Sequence, residues 1–231
     1  MSKLLVKFPS RNRPDKFKNI LDDYTSKVSG KHEVRFVISM DSDDPTMNND
    51  EIKNYLEGKK DEGVDLVYHY GESKTKVEAC NADMDGETFD VLLLISDDMV
   101  LNKDNYDEII FRDFDNTFPE YDGGIKYHDG YRVVGDLLMT LPCIGHKFYE
   151  SCGYIYHPDY TSVYCDDDMT QHLLAIKKYA MSQECIARHE WTPEPFDELH
   201  ARNENAEMYA LDKEVFVRRM NENFGVQHAT V

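Results

Sequence analysis

Four groups of charged residues punctuate this chain: Arg11 and Arg13; Asp41 with Asp43 and Asp44; Asp97 and Asp98; and Asp166, Asp167 and Asp168. The third is the most informative, because the apolar run Val91-Leu92-Leu93-Leu94-Ile95 leads through Ser96 straight into it. Two adjacent carboxylates beside a core are costly unless positive charge sits between them, and a divalent cation carrying a phosphorylated ligand supplies it. Arginines meet phosphoryl oxygens through a fork of N–H donors. Acids at a helix start can accept a proton from an attacking hydroxyl, or they can cap the helix against its dipole. The plain alternative for Asp97 and Asp98 is a strand followed by a solvated acidic turn.

The elements that must position these groups are readable in the first hundred residues. Leu4–Phe8 is expected to form a strand, followed by the loop Pro9–Arg13 and a helix that Pro14 opens. Phe17, Ile20, Leu21, Tyr24 and Val28 fall on one face of that helix. A second strand over Val34–Met40 ends at Asp41, a helix follows around Glu51–Glu57, and Val64–Tyr70 is a third strand. Thr75–Ala82 is expected to be helical and leads to a fourth strand at 91–95. Strands alternating with helices predict an α/β fold with a mostly parallel central sheet flanked by helices. In such a sheet the loops after the first, second and fourth strands open on one edge. One ligand, a nucleotide diphosphate with a cation, then accounts for all three.

The second half is less regular. Tyr131–Leu141 and Gly153–His157 are expected to be strands, with a short helix through Tyr149 between them. A helix opens at Asp166–Asp168, a late strand covers Cys185–Trp191, and Glu204–Asn223 is expected to close the chain as one helix. The chain contains no repeat, low-complexity tract or clear linker. It is read as a single domain over residues 1–231, with halves meeting near residue 100.

The 231 residues carry a net charge of −19, which argues against broad capture of nucleic acid. The charge is uneven: residues 1–32 sum to +5 and the rest to −24, which suggests a local anion site in an acidic protein. No apolar run is long enough to span a membrane, and the N-terminus lacks the apolar centre of a secretory signal. Five cysteines without CxxC spacing suggest reduced thiols, so a cytoplasmic location is expected.

Four longer pieces together resemble the GT-A fold of nucleotide-sugar glycosyltransferases, especially the broad family-2-like group. They are LLVKFPSRNRP, VRFVISMDSDDP, KVEACNADMDGETFDVLLLISDDMV and LPCIGHKFYESCGYIYHPDYTSVYCDDDMTQHLL. The first is similar to that group's opening strand and small-residue turn, the second to a strand ending in a nucleoside-binding Asp. The third resembles a helix with a central Asn and the metal-binding DxD strand. The fourth resembles the acceptor half, in which a Pro-x-x-Gly platform precedes the acidic motif that supplies a general base. Ser96-Asp97-Asp98 departs from DxD by placing serine where the first acid belongs.

The resemblance implies a metal-dependent glycosyltransferase that moves a sugar from a nucleotide diphosphate sugar to an acceptor hydroxyl. It implies Ser10, Arg11 and Arg13 at the diphosphate, Asp41 at the nucleoside, and Asn81, Ser96 and Asp97 on the donor side. Asp98 would hold Mn2+ or Mg2+ with the late His189, for which His200 is the rival, and Asp166 or Asp167 would be the base. The commonest donor in similar enzymes is a UDP-sugar. The acceptor class stays open among a glycan, a protein, a small molecule and, less favoured, a modified nucleic-acid base. Tyr149, Tyr154, Tyr156, Tyr160 and Tyr164 are candidates to line an acceptor cleft, and Trp191 to stack on a sugar or base. A nucleotidyltransferase making nucleotide-sugars is the rival enzyme, but its Gly-rich first loop has no counterpart in Pro9–Pro14. A noncatalytic nucleotide or sugar binder is the rival from another class.

Overall fold

The computed structural model describes residues 1–133, 135–190 and 197–226. In chain order the first half comprises β1 (Lys3–Ser10), α1 (Pro14–Ser26), β2 (Glu33–Asp41), α2 (Asp50–Asp61), β3 (Leu66–Gly71), α3 (Lys76–Asn81), β4 (Val91–Leu94) and β5 (Met99–Leu101). The second half comprises α4 (Tyr106–Thr117), β6 (Gly124–Lys126), β7 (Cys143–Gly145), α5 (His146–Cys152), α6 (Cys165–Ala175), β8 (Tyr179–Met181), β9 (Ala187–His189), α7 (Glu198–Asn203) and α8 (Ala206–Asn221).

Seven strands form one sheet in the order β3-β2-β1-β4-β7-β6-β8. β1 pairs in parallel with β2 and β4, and β2 with β3, so the loops after β1, β2 and β4 share one edge. β1 is buried on both faces. Leu4, Val6 and Phe8 join the core beneath α1 and α4, whereas Leu5 joins a second core containing Val77, Phe148 and Leu173. α1 follows its sequence pattern, with Pro14 in the first turn and Phe17, Ile20, Leu21 and Tyr24 buried. β7 then enters antiparallel beside β4. Gly145 permits this, because a Cβ there would stand 2.2 Å from the Tyr121 carbonyl oxygen. β5 and β9 form a separate two-stranded antiparallel pair that sets Met99 against His189.

Two expected strands in the second half are corrected. The described residues of 131–141 form no strand, because the Asp129 carboxylate takes the Tyr131 and Arg132 N–H groups and Asp136 takes that of Leu138. These bonds turn the backbone back on itself and leave no ladder of donors for a neighbour. Gly153–His157 is also irregular. Gly153 adopts φ +76° after α5, and the Asn81 carboxamide accepts from the Ile155 and Tyr156 N–H groups. The closing helix expected over Glu204–Asn223 forms as α8, which starts where the Asn205 side chain accepts from Met208 N–H, and the short α7 precedes it. The late strand is confined to Ala187–His189 among the described residues, and Trp191 lies outside them. All five cysteines are free, and no described helix is long and apolar enough to cross a membrane.

Candidate active site

A cavity of about 610 Å³ opens at the edge where β1, β2 and β4 end. Its walls include Ser10, Arg11, Arg13, Asp41, Ser96, Asp97, Asp98, Asp166, Asp167 and His189, so ten residues singled out in the sequence converge there. Asn81 does not line it. The Asn81 amide instead donates to the Tyr156 carbonyl at 2.7 Å, so both ends of the side chain tether the 155–156 backbone. Tyr156 and Tyr164 reach the cavity, whereas Tyr160 is buried and donates to Asp168 at 2.9 Å.

The arginines are already engaged. Arg11 Nη1 donates to Asp41 Oδ2 at 2.7 Å and to Asp43 Oδ1 at 2.5 Å. Asn12 sits at φ +60°, a conformation that asparagine tolerates, and its N–H is held by the buried Asp44 at 2.7 Å. The buried Arg13 donates through Nη1 to Asp97 Oδ1 at 2.6 Å. Its Nε and Nη2 meet the two oxygens of Asp197 at 2.7 and 2.8 Å. The Arg13 guanidinium holds the Asp197 carboxyl at about 2. His200 lies 3.0 Å from Arg13 Nη2 and 3.2 Å from Asp197, so it belongs to this cluster and not to Asp98.

Asp98 and His189 come together through the β5–β9 pairing, with His189 Nε2 3.5 Å from Asp98 Oδ2. The Glu190 N–H donates to the Asp98 carbonyl at 2.7 Å and locks that register. Ser96 donates its hydroxyl to Asp98 Oδ1. Burial works against the Asp98 charge, yet the His189 imidazole and the Ser96 hydroxyl hold its carboxyl well below the ordinary range. Among the described residues no group of three or more His, Cys, Asp or Glu is arranged to hold a metal alone. An ionised carboxylate with an imidazole still suits Mn2+ or Mg2+, which take remaining positions from substrate phosphates and water.

Asp166 and Asp167, which also line the cavity, stand in the first turn of α6. Burial and then the neighbouring Asp166 charge raise the Asp167 carboxyl to about 6, against the pull of Arg132. Asp168 is turned away from the cavity into a buried pair with Arg219, Nε to Oδ2 2.9 Å. Sequence reading missed Arg202, which lines the cavity 3.8 Å from Asp41 and donates to the Lys74 carbonyl. It also missed Asp197. Locally Asp197 signals only a helix cap, and both residues reach the arginine and carboxylate cluster through partners more than 120 residues away.

The fold matches solved structures of GT-A glycosyltransferases. The mannosyltransferase PcManGT from Pyrobaculum calidifontis, in complex with GDP-Man and Mn2+, matches with a TM-score of 0.65 at 12% identity over 94% of this chain and 64% of that one. TarS 1–349 of S. aureus with UDP-GlcNAc matches with a TM-score of 0.67 at 12% identity, over 95% of this chain and 67% of that one. Glucosyl-3-phosphoglycerate synthase from Mycobacterium tuberculosis, with Mn2+, UDP and phosphoglyceric acid, matches with a TM-score of 0.59 at 13% identity, over 100% and 81%. This chain therefore spans about two thirds of the length of the first two. No family model and no curated protein matches the sequence. The chain has the GT-A fold, a mostly parallel sheet flanked by helices, of nucleotide-sugar glycosyltransferases.

Proposed function

We propose that this chain is a metal-dependent glycosyltransferase that transfers a sugar from a nucleoside diphosphate sugar to an acceptor hydroxyl. The observation that carries this reading is that the Asp98–His189 pair and Asp167 line one cavity at the sheet edge. Asp41, steadied by Arg11, accepts from the nucleoside, and Arg11 and Arg13 offer guanidinium donors to the diphosphate. Asp98 and His189 hold the cation, which when bound supplies Lewis-acid stabilisation of the departing diphosphate. Asp167 takes the proton from the acceptor hydroxyl. The freed oxygen bonds to the anomeric carbon as the bond from that carbon to the diphosphate oxygen breaks, and a single displacement of this kind inverts the centre. A carboxyl at about 6 is basic enough for this role and largely ionised at neutral pH.

The neighbours carry guanosine in one case and uridine in the others, so the test is a calorimetric titration with UDP, GDP and their sugars, with and without Mn2+. Binding that needs the cation, followed by release of the diphosphate from the matching sugar, is the expected result. Absence of binding to every nucleotide would refute the reading. A noncatalytic binder is the second reading, favoured by Ser96 in place of the first acid. It predicts binding without any turnover.

A further inference from the structure

Two charged side chains of α8 reach back to the start of α6, and the proposed reaction does not account for them. Asp212 is fully buried. Its Oδ1 accepts from the Thr161 N–H at 2.8 Å and the Thr161 hydroxyl at 2.9 Å. Its Oδ2 accepts from the N–H groups of Ser162 and Val163, both at 2.8 Å. One carboxylate thus gathers three consecutive backbone donors of the turn that runs into α6. Seven residues later on the same face of the helix, Arg219 holds Asp168 through Nε at 2.9 Å and Nη2 at 3.2 Å. Asp167 lies between the two anchored segments, three residues after Tyr164 at φ +60°.

Helix–helix packing needs none of this. An uncharged helix face would cover the turn at lower desolvation cost, whereas a buried carboxylate fixes three N–H vectors at once. We infer that Asp212 is a positioning residue for Asp167, holding the 161–163 turn so that the first turn of α6 presents its carboxylate to the cavity at fixed depth. The inference rests on the reaction proposed above. The charged groups facing Asp167 are Asp166 on its own helix and Arg132 and Asp136 from the 127–142 segment. A turn released from Asp212 would let Asp167 move away from them toward water.

The test compares the full-length wild type with Asp212→Asn, which keeps one acceptor oxygen, and Asp212→Leu, which keeps neither. Hydrolysis of the nucleotide sugar that the wild type binds is followed with Mn2+ from pH 5 to 8. Competent sites are counted by titration with the nucleoside diphosphate. Per competent site, kcat is expected to fall about 10-fold in Asp212→Asn and about 100-fold in Asp212→Leu, because small misplacements of a reacting group are costly. The donor KM should stay within about twofold, and the acid limb of kcat should move below about 6. A kcat within about threefold of wild type, or an acid limb that stays in place while kcat falls, would overturn the positioning role. Should Asp212→Leu bind no nucleotide, Asp212→Asn decides by the same criteria. Absence of hydrolysis by the wild type would instead refute the reaction, and the role of Asp212 with it.

Discussion

Asp167→Asn should make the protein more stable and remove its turnover. The ionised carboxylate is partly buried beside the Asp166 charge, so the folded state holds its proton up to about 6, against 3.8 when unperturbed. The sign follows from proton linkage. Between those two values the folded state binds more protons than the unfolded one, so stability falls as pH rises, and the full penalty is present above about 6. That separation corresponds to about 3 kcal/mol at most. Partial exposure and solvent screening reduce it to about 1–2 kcal/mol. For a chain of this length the asparagine variant should melt about 2–8 °C higher than wild type at pH 7.5. Near pH 4, where Asp167 is protonated, the two proteins should melt together. Thermal unfolding at both pH values, without nucleotide or metal, measures the difference directly. In the hydrolysis assay the wild-type kcat should rise with pH through about 6, and the variant should lose about 10²–10⁴-fold. An equal melting difference at the two pH values, or a variant less stable at pH 7.5, would refute the assignment of a strained carboxylate. A variant with unaltered kcat would remove Asp167 as the base.

Three further substitutions address the donor side. Asp197→Asn removes the charge that occupies Arg13 Nε and Nη2 but keeps a side chain able to cap α7. It should tighten nucleoside diphosphate binding by about 3- to 10-fold, about 0.7–1.4 kcal/mol, and weaker binding by calorimetry would show that Asp197 supports the site. Asp98→Ala should abolish the Mn2+-dependent part of that binding, and His189→Ala should weaken the apparent Mn2+ affinity about tenfold. Unchanged Mn2+ dependence in both variants would place the cation elsewhere.

Much of the first half is legible in the sequence because the local signals there are strong. Apolar runs buried on both faces of a parallel sheet have few competing readings, and β1, β2 and β4 begin or end within a residue or two of expectation. The charged residues that close them reach one edge as the topology requires. α4 is less legible, because acidic residues interrupt the helical period of Tyr106, Ile110, Phe111 and Phe114. β5, β6 and β8 have three residues each, too few to show any period. The segment 131–141 alternates well enough to suggest a strand, yet side-chain carboxylates compete for its backbone donors and win. His189 was recognisable only as a late histidine. Its place beside Asp98 depends on a pairing across some ninety residues.

The partners of the arginines were the least legible feature, and they bear most on how a donor would bind. Arg11 and Arg13 look like free phosphate donors in sequence, but the fold gives each of them two carboxylates. Among the described residues the cavity wall carries five Lys or Arg side chains and six Asp or Glu side chains. A diphosphate entering such a site adds negative charge to a wall with no surplus of positive charge, so its binding should be strongly coupled to a divalent cation at Asp98. On the proposed reading, the same balance lets Asp98 serve without a second acid at position 96. Asp97 already neutralises Arg13, and Ser96 leaves Asp98 ionised without adding a third charge that the cation would have to offset. Restoring that acid with Ser96→Asp should therefore tighten Mn2+ while weakening nucleotide binding in its absence, an opposition that one pair of titrations would reveal.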